Sequence, residues 1–225
     1  MPGGLQDTDR QRQSPVIGIT GNIGTGKSTV TKILAEQGVY VIDADHVVHA
    51  LYADPHSALV EAVADEFGGS VLAQDGTLDR TALARVVFED SAARGTLESL
   101  VHPAVVAEVQ EELDGKSPQT PCAIEAIKLI ESDLVTMLDA VWIVEATPEL
   151  QRARLRAKGM PRGEAQRRLD VQSTSEEKIA HLRRKRGATF PVMSIKNTGS
   201  LAELASNVQK AWEATQSMFR ATEES

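Results

Sequence analysis

The sequence predicts an α/β fold in three layers, with a parallel five-stranded sheet between helices, an inserted helical region and a helical lid. Two observations support this prediction. Short apolar, β-prone runs alternate with helical segments along the chain, which favours parallel strands joined by right-handed crossovers. One run, residues 140–146, is almost continuously apolar, as is typical of a strand buried on both faces. A chain of 225 residues, 41% of them hydrophobic, can bury one such core and a smaller appendage.

The first strand, residues 16–20, leads into the most specific motif of the chain. Gly21, Gly26, Lys27 and Ser28 fit the pattern G-x-x-x-x-G-K-[ST], and a helical segment, 28–37, follows and is closed by a glycine. Strand, glycine loop and helix form the context that a phosphate-binding loop requires, so the fold is predicted to be of the P-loop NTPase type. The loop and the helix N-terminus would hold a polyphosphate, Lys27 would reach its β- and γ-phosphates, and the Ser28 hydroxyl would ligate Mg²⁺. The predicted nucleotide-binding residues are Gly21, Asn22, Ile23, Gly24, Thr25, Gly26, Lys27, Ser28 and Thr29.

The second strand, 39–43, ends in Asp43-Ala44-Asp45, where ligands of open α/β sheets bind. Residues 46–114 then change in character. Helical spacing is found in the segments 56–67, 80–88, 92–101 and 104–113, with interruptions at Gly68-Gly69, Asp75-Gly76 and Pro103. This region is too long for a simple crossover helix, so we predict an inserted substrate-binding region. A purely structural insertion is the alternative.

The remaining core elements follow in order. The third strand, 122–127, carries Glu125 and should neighbour the first strand, and the fourth is the apolar run at 140–146. Thr147-Pro148-Glu149 has the residues of a helix start. The fifth strand is 192–196, and Ser200 with Glu203 forms a capping box for the last helix. The apolar stripe of that helix is predicted to be Leu201, Leu204, Val208, Ala211 and Trp212.

Charge is distributed unevenly. Residues 152–186 hold twelve of the 24 basic residues and four of the 32 acidic ones, so this stretch carries +8 and the rest of the chain −16. A solvated helix face is one interpretation, and a basic lid that closes over phosphates is the other. We divide the chain into a leader without order (1–14), a nucleotide-binding core (15–45, 115–150 and 187–225), the helical region (46–114) and a lid (151–186).

Several classes of protein do not fit the sequence. A net charge of −8 argues against nucleic acid as a partner, and no apolar run has the roughly 20 residues of a membrane span. The polar start is unlike a secretory signal, and the single cysteine, Cys122, suits a cytoplasmic protein. A base-reading motif of GTPases is not found. A small-molecule kinase fits best, because a lid protects the γ-phosphoryl group from water.

Beyond the phosphate loop, the sequence resembles the dephospho-coenzyme A kinase family over residues 16–212. The resemblance rests on the loop at 18–29, V-I-D-A-D at 41–45, D-G-T-L-D-R at 75–80, L-V-H-P at 100–103, Q-x-x-R-L at 151–155, Arg168-x-x-x-Gln172 and I-x-N-x-G-S at 195–200. It implies transfer of the γ-phosphoryl group of ATP to the ribose 3′-hydroxyl of dephospho-coenzyme A, the last step of coenzyme A synthesis. It also implies a P-loop core, a helical coenzyme-A-binding region and a lid. We expect a monomer.

Roles can be assigned on this basis. Asp45 is the expected base for the acceptor hydroxyl, and Lys27 serves the phosphates. Asp43 is either a partner of metal-bound water or a cap at the strand end. Glu125 is predicted to hold Mg²⁺ through water, with a plain strand-end charge as the alternative. The resemblance implies that Arg80 and His102 contact the acceptor and that Arg154, Lys158 and Asn197 contact the nucleotide.

This sequence departs from the family pattern at four places, one of which is the Ala-Asp pair expected before the last strand, where Ala188-Thr189 lies too early. Lys128 lies in I-K-L-I-E, where the family has P-L-L-x-E, and His49 and Lys158 each replace an arginine. These changes affect individual contacts more than the reaction. Two other functions stay open: a nucleoside or nucleotide kinase on the same core, and a nucleotide-dependent switch without turnover. A switch does not need an acceptor-facing base such as Asp45.

Overall fold

The computed structural model describes residues 13–223, which form five strands and nine α-helices. The strands are β1 Val16–Thr20, β2 Tyr40–Asp43, β3 Cys122–Glu125, β4 Ala140–Glu145 and β5 Val192–Lys196. The helices are α1 Lys27–Glu36, α2 Ala44–Ala53, α3 Ala58–Phe67, α4 Arg80–Glu89, α5 Ser91–Asp114, α6 Pro148–Ala157, α7 Arg162–Asp170, α8 Ser175–Arg186 and α9 Leu201–Glu223. The predicted leader lies outside the described residues except for Gln13 and Ser14, which hydrogen-bond to Pro118 and Gln119. No helix in the described part combines the length and apolarity needed to cross a bilayer.

The sheet is parallel throughout, in the order β2-β3-β1-β4-β5, which confirms the predicted fold class. The phosphate loop follows the central strand, β1. In the sheet register Ile19 of β1 lies opposite Glu125 of β3, and Glu125 lies opposite Asp43 of β2. The predicted neighbourhood of β3 and β1 is therefore confirmed, and the ends of three adjacent strands bring their polar residues to one edge.

Helices cover both faces because alternate residues of the strands point in opposite directions. Ile17 and Ile19 pack with α1 and α9 on one face, where the rings of Trp142 and Trp212 meet edge-on with centroids 6.3 Å apart. The other face packs against α2, the C-terminal half of α5 and Leu182 of α8. On that face a Cβ at Gly18 would approach Leu138 Cδ1 to 2.4 Å, so the strand needs a glycine there.

The helical region has a small core of its own. Its buried side chains are Leu59, Val60, Val63, Val71, Leu78 and Leu83, all contributed by residues between α2 and α5. Helix α5 joins this core to the sheet, because Leu97 and Leu100 pack in the small core whereas Val105, Val109 and Leu113 pack on the sheet.

Three local predictions are wrong. The predicted helices 92–101 and 104–113 form one helix, α5, with Pro103 inside it. Proline removes one backbone hydrogen bond, but packing at both ends of α5 keeps the helix continuous. Helix α2 was not predicted, and it spans the proposed boundary between residues 45 and 46. Leu201, predicted in the buried stripe of α9, is 66% exposed because it lies at the first residue of the helix.

Candidate active site

The phosphate loop connects β1 to α1 in the conformation that its glycines allow. Gly24 and Gly26 both have positive φ, 77° and 95°. A Cβ on Gly26 would lie 2.2 Å from the side-chain nitrogen of Asn197, so the loop closes against β5 only because this residue has no side chain. Lys27 is the first residue of α1, is 8% exposed, and its ammonium donates to the carbonyl oxygen of Gly21 at 3.1 Å. The Lys27 side chain thus reaches back across the loop to Gly21.

The loop is also fixed from outside, by side chains that bind its carbonyl groups. Gln151 Nε2 donates to Ile23 O at 2.9 Å, and Arg154 donates to Gly24 O at 3.3 Å and to Thr25 O at 3.0 Å. Because carbonyl and N–H groups of a trans peptide point in opposite directions, the N–H groups of Gly24 and Gly26 point to the other side, whereas that of Thr25 donates to Asn22 O at 3.3 Å. These outer contacts therefore orient donors towards a phosphate.

Arg154 and Asn197 act as a pair in this arrangement. The Asn197 amide donates to Thr25 O at 2.7 Å and accepts from the Arg154 guanidinium at 3.1 Å. The guanidinium also donates to the Asn197 carbonyl oxygen at 3.1 Å. Sequence analysis assigned both residues to the nucleotide, and the hydrogen bonds found among the described residues join them to the loop itself. Each still lines a cavity beside the loop.

That cavity has a volume of about 450 Å³ and adjoins the start of α1. Its walls come from the loop, the end of α6 and the turn between β5 and α9. They include Gly26, Ser28, Arg154, Lys158, Asn197 and Leu201. The exposed position of Leu201 gives the cavity an apolar edge. Its size and mixed lining suit the base and ribose of a nucleotide.

The carboxylates of Glu125 in β3 and Asp45 in α2 act on the charge of Lys27, and a third carboxylate, that of Asp43, ends the neighbouring strand β2. Asp43 ends β2 and caps α2, since its side chain accepts from the backbone N–H groups of Asp45 and His46 at 3.0 and 3.2 Å. Of the two alternatives for Asp43, the structure shows the cap, and the group that it caps is the start of α2. Asp45 lies in the first turn of α2, and Glu125 accepts from the Thr31 hydroxyl at 3.0 Å. Lys27, Asp45 and Glu125 are close enough to shift one another's pKa.

The pKa shifts have clear physical causes. Desolvation is the largest cause that raises the pKa of Asp45, although its side chain has an exposed side, and the charge of Asp43 adds to it; Lys27 and His49 act against the shift. Burial likewise raises the pKa of Glu125, against the Thr31 hydrogen bond and the charge of Lys27. Burial lowers the pKa of Lys27. Each carboxyl thus holds a proton more readily than it would in water.

The donor set fits Mg²⁺ bound through few protein ligands. Ser28 stands at the start of α1, and Glu125 is linked to the same helix through Thr31, whose hydroxyl lies 3.3 Å from Ser28 O. Within residues 13–223, no three His, Cys, Asp or Glu side chains are grouped so that they could hold a metal by themselves. Mg²⁺ is commonly bound by one or two oxygen ligands together with waters and substrate phosphates, which is the kind of set found here.

The structure does not connect every predicted residue to the loop. Arg80 begins α4 and its charge acts on Tyr52, whereas His102 lies in the middle of α5 and its charge acts on Glu98. In the described part of the chain, no hydrogen bond or ion pair joins Arg80 or His102 to the phosphate loop. His102 directly precedes a proline, a place that is also compatible with a helix start, but it lies inside α5. Glu98 forms a 3.0 Å ion pair with Lys128, one of the residues that depart from the family pattern.

Sequence analysis missed three contacts with the loop. Gln151 holds Ile23 O, Gln172 accepts from Ile23 N–H at 2.8 Å, and the Lys178 ammonium donates to Asn22 Oδ1 at 2.8 Å. Gln151 and Gln172 belong to motifs that carry the family resemblance, which was the available signal. For Lys178, the only signal in the sequence was its place in the basic stretch. The basic stretch thus reaches the loop through specific contacts.

Comparisons with known proteins indicate one family. The family model of dephospho-CoA kinase matches residues 15–184. A dephospho-CoA kinase of Symbiobacterium thermophilum is 39% identical over 202 residues, which cover 88% of this chain and 80% of the relative. The corresponding enzyme of Moorella thermoacetica is 38% identical, and the alignment covers 89% and 92% of the two chains.

Solved structures support the same fold. A crystal structure from Thermus thermophilus matches with a TM-score of 0.70 and 36% identity, over 89% of this chain and 97% of that one. The dephospho-CoA kinase structure from Campylobacter jejuni matches with a TM-score of 0.64, over 90% and 97% of the two chains. Because the two sequences are 24% identical, this match supports the fold alone.

Proposed function

The chain belongs to the dephospho-coenzyme A kinase family, and we propose that it phosphorylates the ribose 3′-hydroxyl of dephospho-coenzyme A, with Asp45 as the general base. It is a kinase that takes the phosphoryl group from ATP and transfers it to an alcohol, giving coenzyme A and ADP. One observation carries the proposal beyond the family: a complete phosphate loop presents Lys27 to Asp45, and each charge shifts the other's pKa.

Asp45 has the properties that the acceptor side of this reaction needs. A hydroxyl that attacks phosphorus loses its proton, and a carboxylate within hydrogen-bond reach can take it. The raised pKa of Asp45 makes it a stronger base than an ordinary aspartate, while the charge of Lys27 acts against that shift and favours the ionised form. Asp43 supports Asp45 in two ways, because it caps α2 and its charge raises the pKa of Asp45.

The donor side is proposed to use the phosphate loop, from Gly21 to Thr29, and the cavity beside it. Lys27 would neutralise the β- and γ-phosphates, and Lys158 and Leu201 would line the seat of the adenosine. Arg154 and Asn197 would act chiefly by holding the loop carbonyls. Mg²⁺, when bound, neutralises charge on the phosphate oxygens. Ser28 would hold it directly and Glu125 through water.

The helical region and the lid complete the proposal. Residues 46–114, together with the first turn of α2, would bind the acceptor, with Arg80 and His102 as contacts. The separate small core supports a distinct binding module. Residues 151–186 would form the lid, supported by the contacts of Gln172 and Lys178 with the loop. We further propose a monomer in the cytoplasm that binds neither nucleic acid nor membrane, on the charge and the single cysteine.

A panel of acceptors tests this function. Product formation from ATP should be measured with dephospho-coenzyme A, adenosine and AMP, and the phosphorylated position determined by phosphorus NMR. We expect 3′-phosphorylation of dephospho-coenzyme A and low kcat as well as weak binding for the truncated acceptors, because remote parts of a substrate help to position the reacting hydroxyl. Equal kcat/KM for adenosine and dephospho-coenzyme A would contradict the proposal and indicate a nucleoside kinase. ATP binding without phosphorylation of any acceptor would indicate a switch.

A further inference from the structure

Lys178 of α8 is a buried cation at the first half of the phosphate loop. Its side chain is 8% exposed, and its ammonium donates to Asn22 Oδ1 at 2.8 Å and to Ser173 O at 3.0 Å. Asn22 in turn donates to Ser173 O at 3.2 Å, and Gln172 accepts from Ile23 N–H. Three of these hydrogen bonds join the α7–α8 segment to the loop, and the fourth, from Lys178 to Ser173 O, lies within that segment.

The charge of Lys178 is not balanced by a carboxylate within contact. Both of its hydrogen-bond acceptors are neutral oxygens, and none of the ion pairs found in residues 13–223 includes it. Glu131 and Glu177 act on it only at longer range, and burial lowers its pKa. A buried charge without a partner is costly, so an anion that reaches this site would be bound favourably.

Lys27 is a second buried lysine at the loop. The Lys27 ammonium is also buried, donates to a neutral carbonyl oxygen, and is close enough to Lys178 for the two charges to influence each other. The charges of Glu125 and Asp45 also act on Lys27. An ammonium has three donors, and two of those on Lys178 are used by Asn22 and Ser173, so one is left for a ligand.

The position of Lys178 indicates which phosphate this would be. The cavity proposed for the adenosine adjoins the second half of the loop and the start of α1, including Gly26, Ser28 and Thr29. Lys178 instead contacts Asn22, which follows Gly21, the residue whose carbonyl binds Lys27 beside Asp45. A triphosphate that runs from the cavity towards Asp45 has its terminal phosphate at the Asn22 end.

We propose that Lys178 binds the terminal phosphate of ATP and thereby makes the site distinguish ATP from ADP. This inference rests on the proposed function and deepens it. The lid would supply a cation that faces Lys27 across the phosphate chain, and Asn22 would position the ammonium. A purely structural role, in which Lys178 only ties α8 to the loop, would affect both nucleotides equally.

Direct binding of the two nucleotides separates these roles. The dissociation constants of ATP and ADP should be measured by calorimetry, with Mg²⁺ and without acceptor, for the wild type, Lys178→Met and Lys178→Gln. The Gln variant keeps a hydrogen-bond donor for Asn22 and removes only the charge. We expect both variants to weaken ATP about tenfold or more, as for loss of a hydrogen bond between charged groups, and ADP less than threefold. Lys178→Arg should restore much of the preference for ATP.

Lys185→Met is the matched control. Lys185 lies on the same helix, but its ammonium donates to the backbone carbonyls of Glu131 and Ser132, away from the loop. We expect both nucleotides to bind this variant within twofold of the wild type. Equal weakening of ATP and ADP by Lys178→Gln, or no weakening of either, would overturn the proposal. Failure of the proposed function is distinguished by the acceptor panel, because the ATP preference is measured without an acceptor.

Discussion

Asp43 and Asp45 are two residues apart and have different surroundings. The side chain of Asp43 accepts two backbone hydrogen bonds at the start of α2, whereas that of Asp45 stands among the charges of Lys27, Asp43 and His49. The geometry therefore gives Asp43 a capping role and leaves Asp45 for the role of base that we propose. This difference can be tested because asparagine is also a good N-cap, so an Asp-to-Asn change at Asp43 keeps the cap and removes the charge.

Asp45→Asn should lower kcat by roughly 10²–10⁴, the usual contribution of general acid–base catalysis. The amide keeps the shape of the carboxylate but cannot accept the proton. ATP affinity should change by less than about threefold, since Asp45 is proposed to serve the acceptor. Steady-state kinetics with dephospho-coenzyme A and calorimetry with ATP measure the two effects. A crippled Asp43→Asn enzyme together with an active Asp45→Asn enzyme would identify Asp43 as the base.

The pH profile gives an independent test at the same residue. The base must be ionised, so kcat/KM should fall as the pH decreases through the pKa of Asp45, which lies above its ordinary value. The charge of Asp43 contributes to that shift. In Asp43→Asn the pKa of Asp45 should fall, and the acidic limb of the profile should move to lower pH. A limb that stays in place or moves to higher pH would contradict this assignment.

Helix α6 shows how an element can hold the phosphate loop in shape from outside the loop. Arg154 faces the loop and makes four hydrogen bonds with loop residues and Asn197. Arg152, half a turn away, bonds to Glu149 of its own helix at the surface and, within residues 13–223, to no loop residue. The helix thus offers a functional arginine and a matched control.

Arg154→Ala should raise the KM for ATP by roughly 10- to 100-fold, because hydrogen bonds to a charged group contribute about 1.5–3 kcal/mol. The freed carbonyl groups would let the loop sample other conformations, so donors to phosphate would be less well oriented. Lysine has no planar fork, and Arg154→Lys should restore little. Arg152→Ala should stay within twofold of the wild type. Similar kinetics for Arg154→Ala and Arg152→Ala would show that the loop holds its shape unaided.

Across the whole molecule, three hydrophobic cores meet through few elements. Two cover the faces of the sheet, the third lies in the helical region, and α5 contributes to the third and to one face. Because α5 is continuous, we expect these parts to unfold as one cooperative unit. Ligand binding to the loop should then stabilise the entire chain.

ATP at about 100 times its dissociation constant should contribute about 2.7 kcal/mol to the free energy of unfolding. For a chain of this length, that corresponds to a rise in Tm of roughly 5–10 °C. Lys27→Ala should fold but show little of this rise, since its cation serves the phosphates. Calorimetric scans with and without ATP measure both. A full rise in Lys27→Ala would mean that ATP binds elsewhere.

Local patterns were sufficient for most of the fold and part of the site. Each of these patterns spans only a few residues: the glycine loop, the apolar strands and the aspartates at a strand end. Together they predicted the sheet and the positions of Lys27 and Asp45. Contacts between distant residues were not available in this way. Arg154 reaches Gly24 over a separation of 130 residues and Lys178 reaches Asn22 over 156. Pro103 indicated a break between two helices, but tertiary packing overcame this local preference and α5 is continuous.

The order of the strands affects how the protein folds during its synthesis on the ribosome. Both partners of β1, the strands β3 and β4, begin more than 100 residues after it. At about 5–20 residues per second, the central strand waits roughly 5–20 s for its first neighbour. The helical region, whose core involves only nearby residues, can fold during that interval. Until β3 arrives, Val16–Thr20 is an unpaired apolar strand, and we expect it to be the segment that chaperones bind during synthesis.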